Sequence, residues 1–122
     1  MNKGRDAEEL VAANYHSKGF KLLERNYIFP KGKQIGEIDL ILTKNREIVF
    51  VEVKARSSNK FGRGFESVDF FKQKKLVKTA KLYLQLHPKF QDFDYRIDVA
   101  EVDIDKSPPS VIILTNAIED TD

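Results

Sequence analysis

The chain has 122 residues, no cysteine, 41% hydrophobic residues and a formal net charge of +2. That length suits one domain around one core, and the absence of thiols excludes a disulfide framework and a thiolate metal site. No apolar run approaches a membrane span. Asp6, Glu8 and Glu9 stand where a signal peptide would be apolar, so a soluble, cytoplasmic protein is expected. Acids gather towards the ends, in Asp6 to Glu9 and Glu101 to Asp122, and bases gather from Lys54 to Lys81. That distribution says more than the small net charge.

Arg5 to Lys18 reads as a helix closed by Gly19 in the C′ position. Leu10, Val11, Asn14 and Tyr15 form one stripe, extended by Ala7, and Glu8, Ala12 and Tyr15 line the next. Asp6, Glu8 and Glu9 lie in the first turn, where the helix dipole favours acids. From the residues alone, Glu8 is an ordinary first-turn acid. Phe20 to Phe29 reads as a strand with a polar centre at Glu24-Arg25-Asn26, and Pro30-Lys31-Gly32-Lys33 as a turn.

Gly36 to Arg56 reads as a β-hairpin: two runs rich in aliphatic residues flank the polar connector Thr43 to Glu47. Strand alternation places Ile38, Leu40 and Leu42 on one face of the first strand, with Val49, Val51 and Val53 on one face of the second. The opposite face carries Glu37, Asp39 and Ile41, then Phe50, Glu52 and Lys54. A two-residue Asn45-Arg46 turn sets Asp39 opposite Glu52. A Lys44-Asn45 turn sets Glu37 there instead. Either register keeps the acids and the lysine together. Opposed like charges cost stability, so three carboxylates and an amine on a hydrophobic hairpin call for a reason. One is a hard divalent cation, which takes oxygen ligands, with the lysine beside it to orient an attacking water. The other is a solvated outer face on which Glu37 pairs with Lys54. Gly36 permits either close backbone approach or relaxed strand entry.

Ser57 to Ser67 is a loop that interleaves Lys60 and Arg63 with Phe61 and Phe65. This composition suits contacts to phosphates and base faces or, equally, a loop anchored to the core by its phenylalanines. Ser67 or Asp69 caps a second helix that runs to about Leu86 and stops before Pro88. Phe70, Val77, Ala80 and Leu84 form its apolar stripe, with Leu76 and Tyr83 beside it. Lys72, Lys75, Lys78 and Lys81 recur every third residue, with Lys74 nearby, either as solubilising lysines or as phosphate contacts. Phe93 to Ile104 is a further strand, broken at Pro108-Pro109, and Val111 to Leu114 a short last one. Residues 1–118 make the expected domain and 119–122 a frayed acidic tail. His16 and His87 read as surface residues.

Asp39, followed by Glu52-Val53-Lys54, resembles the core of PD-(D/E)XK nucleases. The longer strings Gly36-Glu37-Ile38-Asp39-Leu40-Ile41 and Val49-Phe50-Val51-Glu52-Val53-Lys54-Ala55-Arg56 resemble the small bacterial YraN-like family, related to archaeal Holliday-junction resolvases. Gly4-Arg5-x-Ala7-Glu8-x-Leu10 is similar to that family's opening motif, with Ala7 where glycine is usual, and Arg96-Ile97-Asp98-Val99 to its late strand. The element order α-β-β-β-α-β-β fits the αβββαβ core of the restriction-endonuclease-like α/β fold, a mixed sheet flanked by helices, with one strand added.

The resemblance implies an Mg²⁺-dependent endonuclease, with Mn²⁺ as substitute, acting on DNA rather than RNA and on branched or structured DNA in particular. It implies Asp39, Glu52 and the Val53 carbonyl as metal ligands. Glu8 completes the shell from the first helix, with Glu9 its competitor if the register slips by one. Lys54 positions the attacking water. Glu37 binds a second metal or holds Lys54, and Gln73 or Lys74 faces the site. Arg56, Lys60, Arg63, Lys72, Lys74, Lys75 and Lys78 are the expected nucleic-acid contacts. Two-fold substrate symmetry implies a homodimer. The alternative is a non-catalytic nucleic-acid-binding module with a vestigial site, working with a protein partner.

Overall fold

The computed structural model describes residues 3–29, 36–59, 61 and 69–119. Helix α1 spans Lys3–Ser17, strands β1, β2 and β3 span Lys21–Ile28, Glu37–Lys44 and Glu47–Arg56, and helix α2 spans Phe70–Leu86. A short 3-10 turn at Pro88–Phe90 precedes β4, Asp94–Asp103, and β5, Ser110–Ile118. The strands form one sheet in the order β1-β2-β3-β4-β5. β3 and β4 are parallel and the other neighbours antiparallel. A parallel pair needs a crossover, and α2 supplies it. This is the restriction-endonuclease-like αβββαβ core with an added C-terminal strand. Among the described residues, no helix is long and apolar enough to cross a membrane.

One helix covers each face of the sheet. Ala7, Val11, Ala12 and Tyr15 of α1 pack on Leu40, Leu42, Val49, Val51, Ala100 and Val102. Leu76, Val77, Ala80 and Tyr83 of α2 pack on Ile41, Ile48, Phe50, Ile97 and Val99. The central strand β3 is therefore buried on both sides, which is why it reads Ile-Val-Phe-Val without a polar break. Two apolar positions expected in the helix stripes lie outside the core. Leu10 is exposed, and Phe70 is 62% exposed, because it stands at the first residue of α2, beyond the end of the packed stripe.

The hairpin turns at Asn45-Arg46, with Lys44 paired to Glu47 and a left-handed Asn45. This is the first of the two registers considered. The expected faces hold with one correction: Ile38 packs with Ile41 on the α2 side, not with Leu40 and Leu42. The cause is local. The β2–β3 ladder runs no further than Leu40↔Val51, and the β1–β2 ladder skips the position where Asn26 would meet Asp39. Asn26 is left-handed there, with φ 50°. Asparagine tolerates that conformation better than most residues. The distortion switches the side on which β2 presents its residues and frees Asp39 from regular alternation.

Candidate active site

Asp39 sits where β2 parts from β3. Its Oδ2 accepts the Val53 N–H at 2.7 Å, so the carboxylate caps a donor of the neighbouring strand. Burial, then the Glu52 charge, pushes its pKa from the ordinary 3.8 to about 7, against the lowering effect of the Val53 hydrogen bond; Glu8 and Glu37 add to the rise. Among the described residues Asp39 has no ion pair at contact distance, and three carboxylates, Glu52, Glu8 and Glu37, press on it.

Glu52, two residues beyond Phe50, points to the α2 side and is only 7% exposed. Its Oε1 receives two ammoniums: Lys54 Nζ at 3.4 Å and Lys72 Nζ at 2.9 Å. Lys54 follows from alternation along β3. Lys72 comes from α2, whose first turn is pinned by Asp69, the N-cap, accepting the Lys72 N–H at 2.8 Å. Burial first, then the neighbouring Lys72 amine, lowers the Lys54 pKa. Burial works in the same direction on Lys72, but its contacts with Lys54 and the Glu52 carboxylate hold that ammonium above its ordinary range. Gly36 lets β2 pass close under α2: a Cβ there would stand 2.7 Å from Thr79 Oγ1. Close backbone approach, rather than relaxed strand entry, therefore accounts for this glycine. A cleft of about 510 Å³ opens over the place, lined by Gly36, Glu37, Glu52, Phe71, Lys72 and Lys75 among others.

Glu8 reaches the same region from α1. Burial raises its pKa, while a hydrogen bond with Asn26 and the charge of Arg25 oppose the rise and Glu37 and Glu52 add to it. Glu8 opens into a neighbouring depression with Glu9, Arg25 and Asn26. Asn26 is thus a residue the sequence reading missed. It shapes the gap beside Asp39 and holds Glu8, and its one sequence signal is the polar break within β1.

The structure brings Glu8, Glu37 and Glu52 into electrostatic range of Asp39, sets Lys54 against Glu52, and has Val53 meet Asp39 through its N–H. Other expected residues lie elsewhere. Gln73 lines a second cleft of about 510 Å³ with Lys74 and Lys78 instead of the cleft over Glu52. Lys74 Nζ stands 4.9 Å above the Phe70 ring. Arg56, expected at phosphate, is directed within the sheet, its Nε 3.6 Å from Oε1 of buried Glu101. Lys72, expected as a nucleic-acid contact, is paired with Glu52 instead, its Nζ 2.9 Å from Oε1. Phe71 is 76% exposed at the cleft mouth. Lys60, Arg63, Phe65, Ser67, the turn at residues 30–33 and the last residues of the tail lie outside the described residues.

Among the described residues, no three His, Cys, Asp or Glu side chains form a self-sufficient metal-binding group. The donor chemistry nevertheless fits a hard divalent ion that keeps several waters. Such an ion needs only one or two carboxylates, and Asp39 and Glu52 supply the oxygens, Asp39 with its pKa raised by burial and acidic neighbours to about 7, a penalty that a bound cation would relieve.

Fold and site together define an α/β domain with a carboxylate–lysine cluster where two strands part at the sheet's open end. The chain belongs to the family described as "Uncharacterised protein family UPF0102", whose profile matches residues 7–102. It is 50% identical over 95 residues to a UPF0102 protein of Caldanaerobacter subterraneus subsp. tengcongensis, covering 77% of this chain and 74% of the relative. It is 43% identical over 95 residues to one of Fusobacterium nucleatum, covering 78% and 76%. A relative from Stutzerimonas stutzeri is 36% identical over 119 residues, 98% of this chain and 96% of that protein.

Proposed function

We propose that the protein is a metal-dependent endonuclease that hydrolyses phosphodiester bonds in DNA, with structured DNA as its substrate class. The observation that carries this reading is the pairing of two unlike carboxylates with a depressed lysine. Asp39 is half-buried and, among the described residues, makes no ion pair at contact distance, Glu52 is bridged by ammoniums, and Lys54 stands beside Glu52 with its pKa lowered by burial. Environments that drive neighbouring titratable groups apart mark acid–base work.

Asp39 and Glu52 would hold an Mg²⁺ or Mn²⁺ ion, with the Val53 carbonyl as a further ligand and Glu8 completing the shell. The ion would supply a Lewis acid for the scissile phosphate. Lys54 orients the attacking water by hydrogen bond and stabilises charge gathering on the phosphoryl oxygens. Exposed Phe71 offers a stacking face at the cleft mouth, and Lys75 beside it meets the phosphate backbone. Lys74 and Lys78 extend the positive surface along α2. A second copy of the chain would match a two-fold symmetric junction.

A second reading has its own support. Glu52 is already countered by Lys54 and Lys72, as in a domain that has kept the cluster for binding alone and works with a protein partner. Glu52→Ala and Lys54→Ala separate the two. Each should abolish cleavage by at least about a hundredfold while leaving the far-ultraviolet circular dichroism unchanged. Cleavage that persists in both variants rejects the nuclease assignment.

A further inference from the structure

Two ammoniums share one carboxylate oxygen, and they reach it by different routes. Lys54 shares a strand and a face with Glu52, so β3 fixes its approach, and its side chain is 20% exposed. Lys72 arrives from α2 on a four-methylene arm, and its side chain is 40% exposed at the cleft with Glu37, Phe71 and Lys75. Lys72 makes the shorter contact, 2.9 Å against 3.4 Å, although one ammonium suffices to neutralise Glu52. A strand-borne lysine already does so, and the second cation therefore needs its own account.

We propose that Lys72 is a resident counter-ion standing on the Glu52 oxygen that a divalent cation would take, so that metal entry displaces it towards the cleft mouth and the substrate phosphate. This rests on the metal-dependent reading of the cluster. Like charges at contact distance repel strongly in a partly buried setting, so Oε1 cannot serve two ammoniums and a divalent ion together. Lys72 is the arm that can leave. Once displaced, its ammonium joins Lys75 at the side of the cleft where a phosphodiester would lie. Metal and nucleic acid then favour one another through a single moving charge, and the coupling is reciprocal. Without metal, Lys72 holds Glu52 quiet. With metal, it adds a phosphate contact.

The test is direct Mn²⁺ binding by calorimetry on the full chain, without substrate, comparing wild type with Lys72→Met, Lys72→Ala, Lys72→Arg and Glu52→Gln at constant pH. Lys72→Met and Lys72→Ala should each bind Mn²⁺ about tenfold more tightly, equivalent to about 1.4 kcal/mol. Lys72→Arg, which restores a cation, should return near the wild-type affinity, and Glu52→Gln should lose binding. Tighter binding in the neutral variants, reversed by arginine, establishes the counter-ion. Unchanged or weaker binding in both neutral variants, with Glu52→Gln still defective, overturns the counter-ion while leaving the metal site standing. Absence of Mn²⁺ binding from wild type and the neutral variants at millimolar ion overturns both.

Discussion

Replacing Asp39 with Asn should stabilise the metal-free protein at alkaline pH. The cause is the rise of this carboxyl from 3.8 to about 7, produced by burial and by Glu52, Glu8 and Glu37. The sign follows from linkage. A group whose folded pKa is raised favours folding fully below its unfolded pKa, and that support is lost as the pH rises through the folded value. The unfolded chain ionises near 4 and the folded chain near 7, so the penalty of a charged Asp39 grows between those values and is constant above them. About three pKa units at about 1.4 kcal/mol each bound it at roughly 4 kcal/mol. Residual solvent contact and relaxation bring the expected gain to about 2–3 kcal/mol. Asn keeps a carbonyl to accept the Val53 N–H, so the hydrogen bond at 2.7 Å survives the exchange. Urea unfolding of both proteins in chelator, at pH 4, 6 and 8, measures the effect. The variant should gain little at pH 4 and the full amount at pH 8. Mn²⁺ at a hundred times its dissociation constant should then stabilise wild type at pH 8 by about 2.7 kcal/mol and the variant far less. A variant equally or less stable than wild type at pH 8, or a difference independent of pH, refutes the reasoning.

Other positions yield sharper structural tests. Gly36→Ala places a Cβ 2.7 Å from Thr79 Oγ1 and should cost about 1–3 kcal/mol. Adding Thr79→Ala should recover most of that loss in a double-mutant cycle read by urea midpoint. Tyr15→Phe removes the hydroxyl that donates to Asp98 Oδ2 at 2.6 Å inside the core, and should lower stability by about 1.5–3 kcal/mol because the acceptor is a buried carboxylate. Lys74→Ala and Lys78→Ala should each weaken duplex binding without changing Mn²⁺ affinity, and each should reduce the slope of log affinity against log salt by about 0.9. An unchanged slope removes Lys74 and Lys78 from the binding surface.

The hairpin was legible because its period is two and its connector is polar, so parity alone kept Asp39, Glu52 and Lys54 together in either register. α2 was legible from its apolar spacing and from the proline beyond its end. The break at Asn26 and Asp39 was not. A single left-handed asparagine looks like any polar strand residue, yet it moves Ile38 to the other face. Lys72 was equally hidden. In sequence it is one of several lysines at three-residue spacing, and only the crossover that lays the first turn of α2 over β3 separates it from Lys78 on the outside. Strand β4 shows the same limit. Its alternation of Ile97 and Val99 with Asp98 reads as a half-exposed strand, but α1 covers the second face, and Asp98 is buried among Tyr15, Arg96 and the Asn116 N–H.

The most direct measurement of the central claim is cleavage of end-labelled duplex, single-stranded and four-way-junction DNA by the wild-type chain in Mg²⁺, in Mn²⁺ and in chelator, beside Glu52→Ala. The nuclease assignment predicts products with either metal, most on the junction, and none in chelator or with the variant. Salt-sensitive binding without products under any metal contradicts it and leaves a nucleic-acid-binding module.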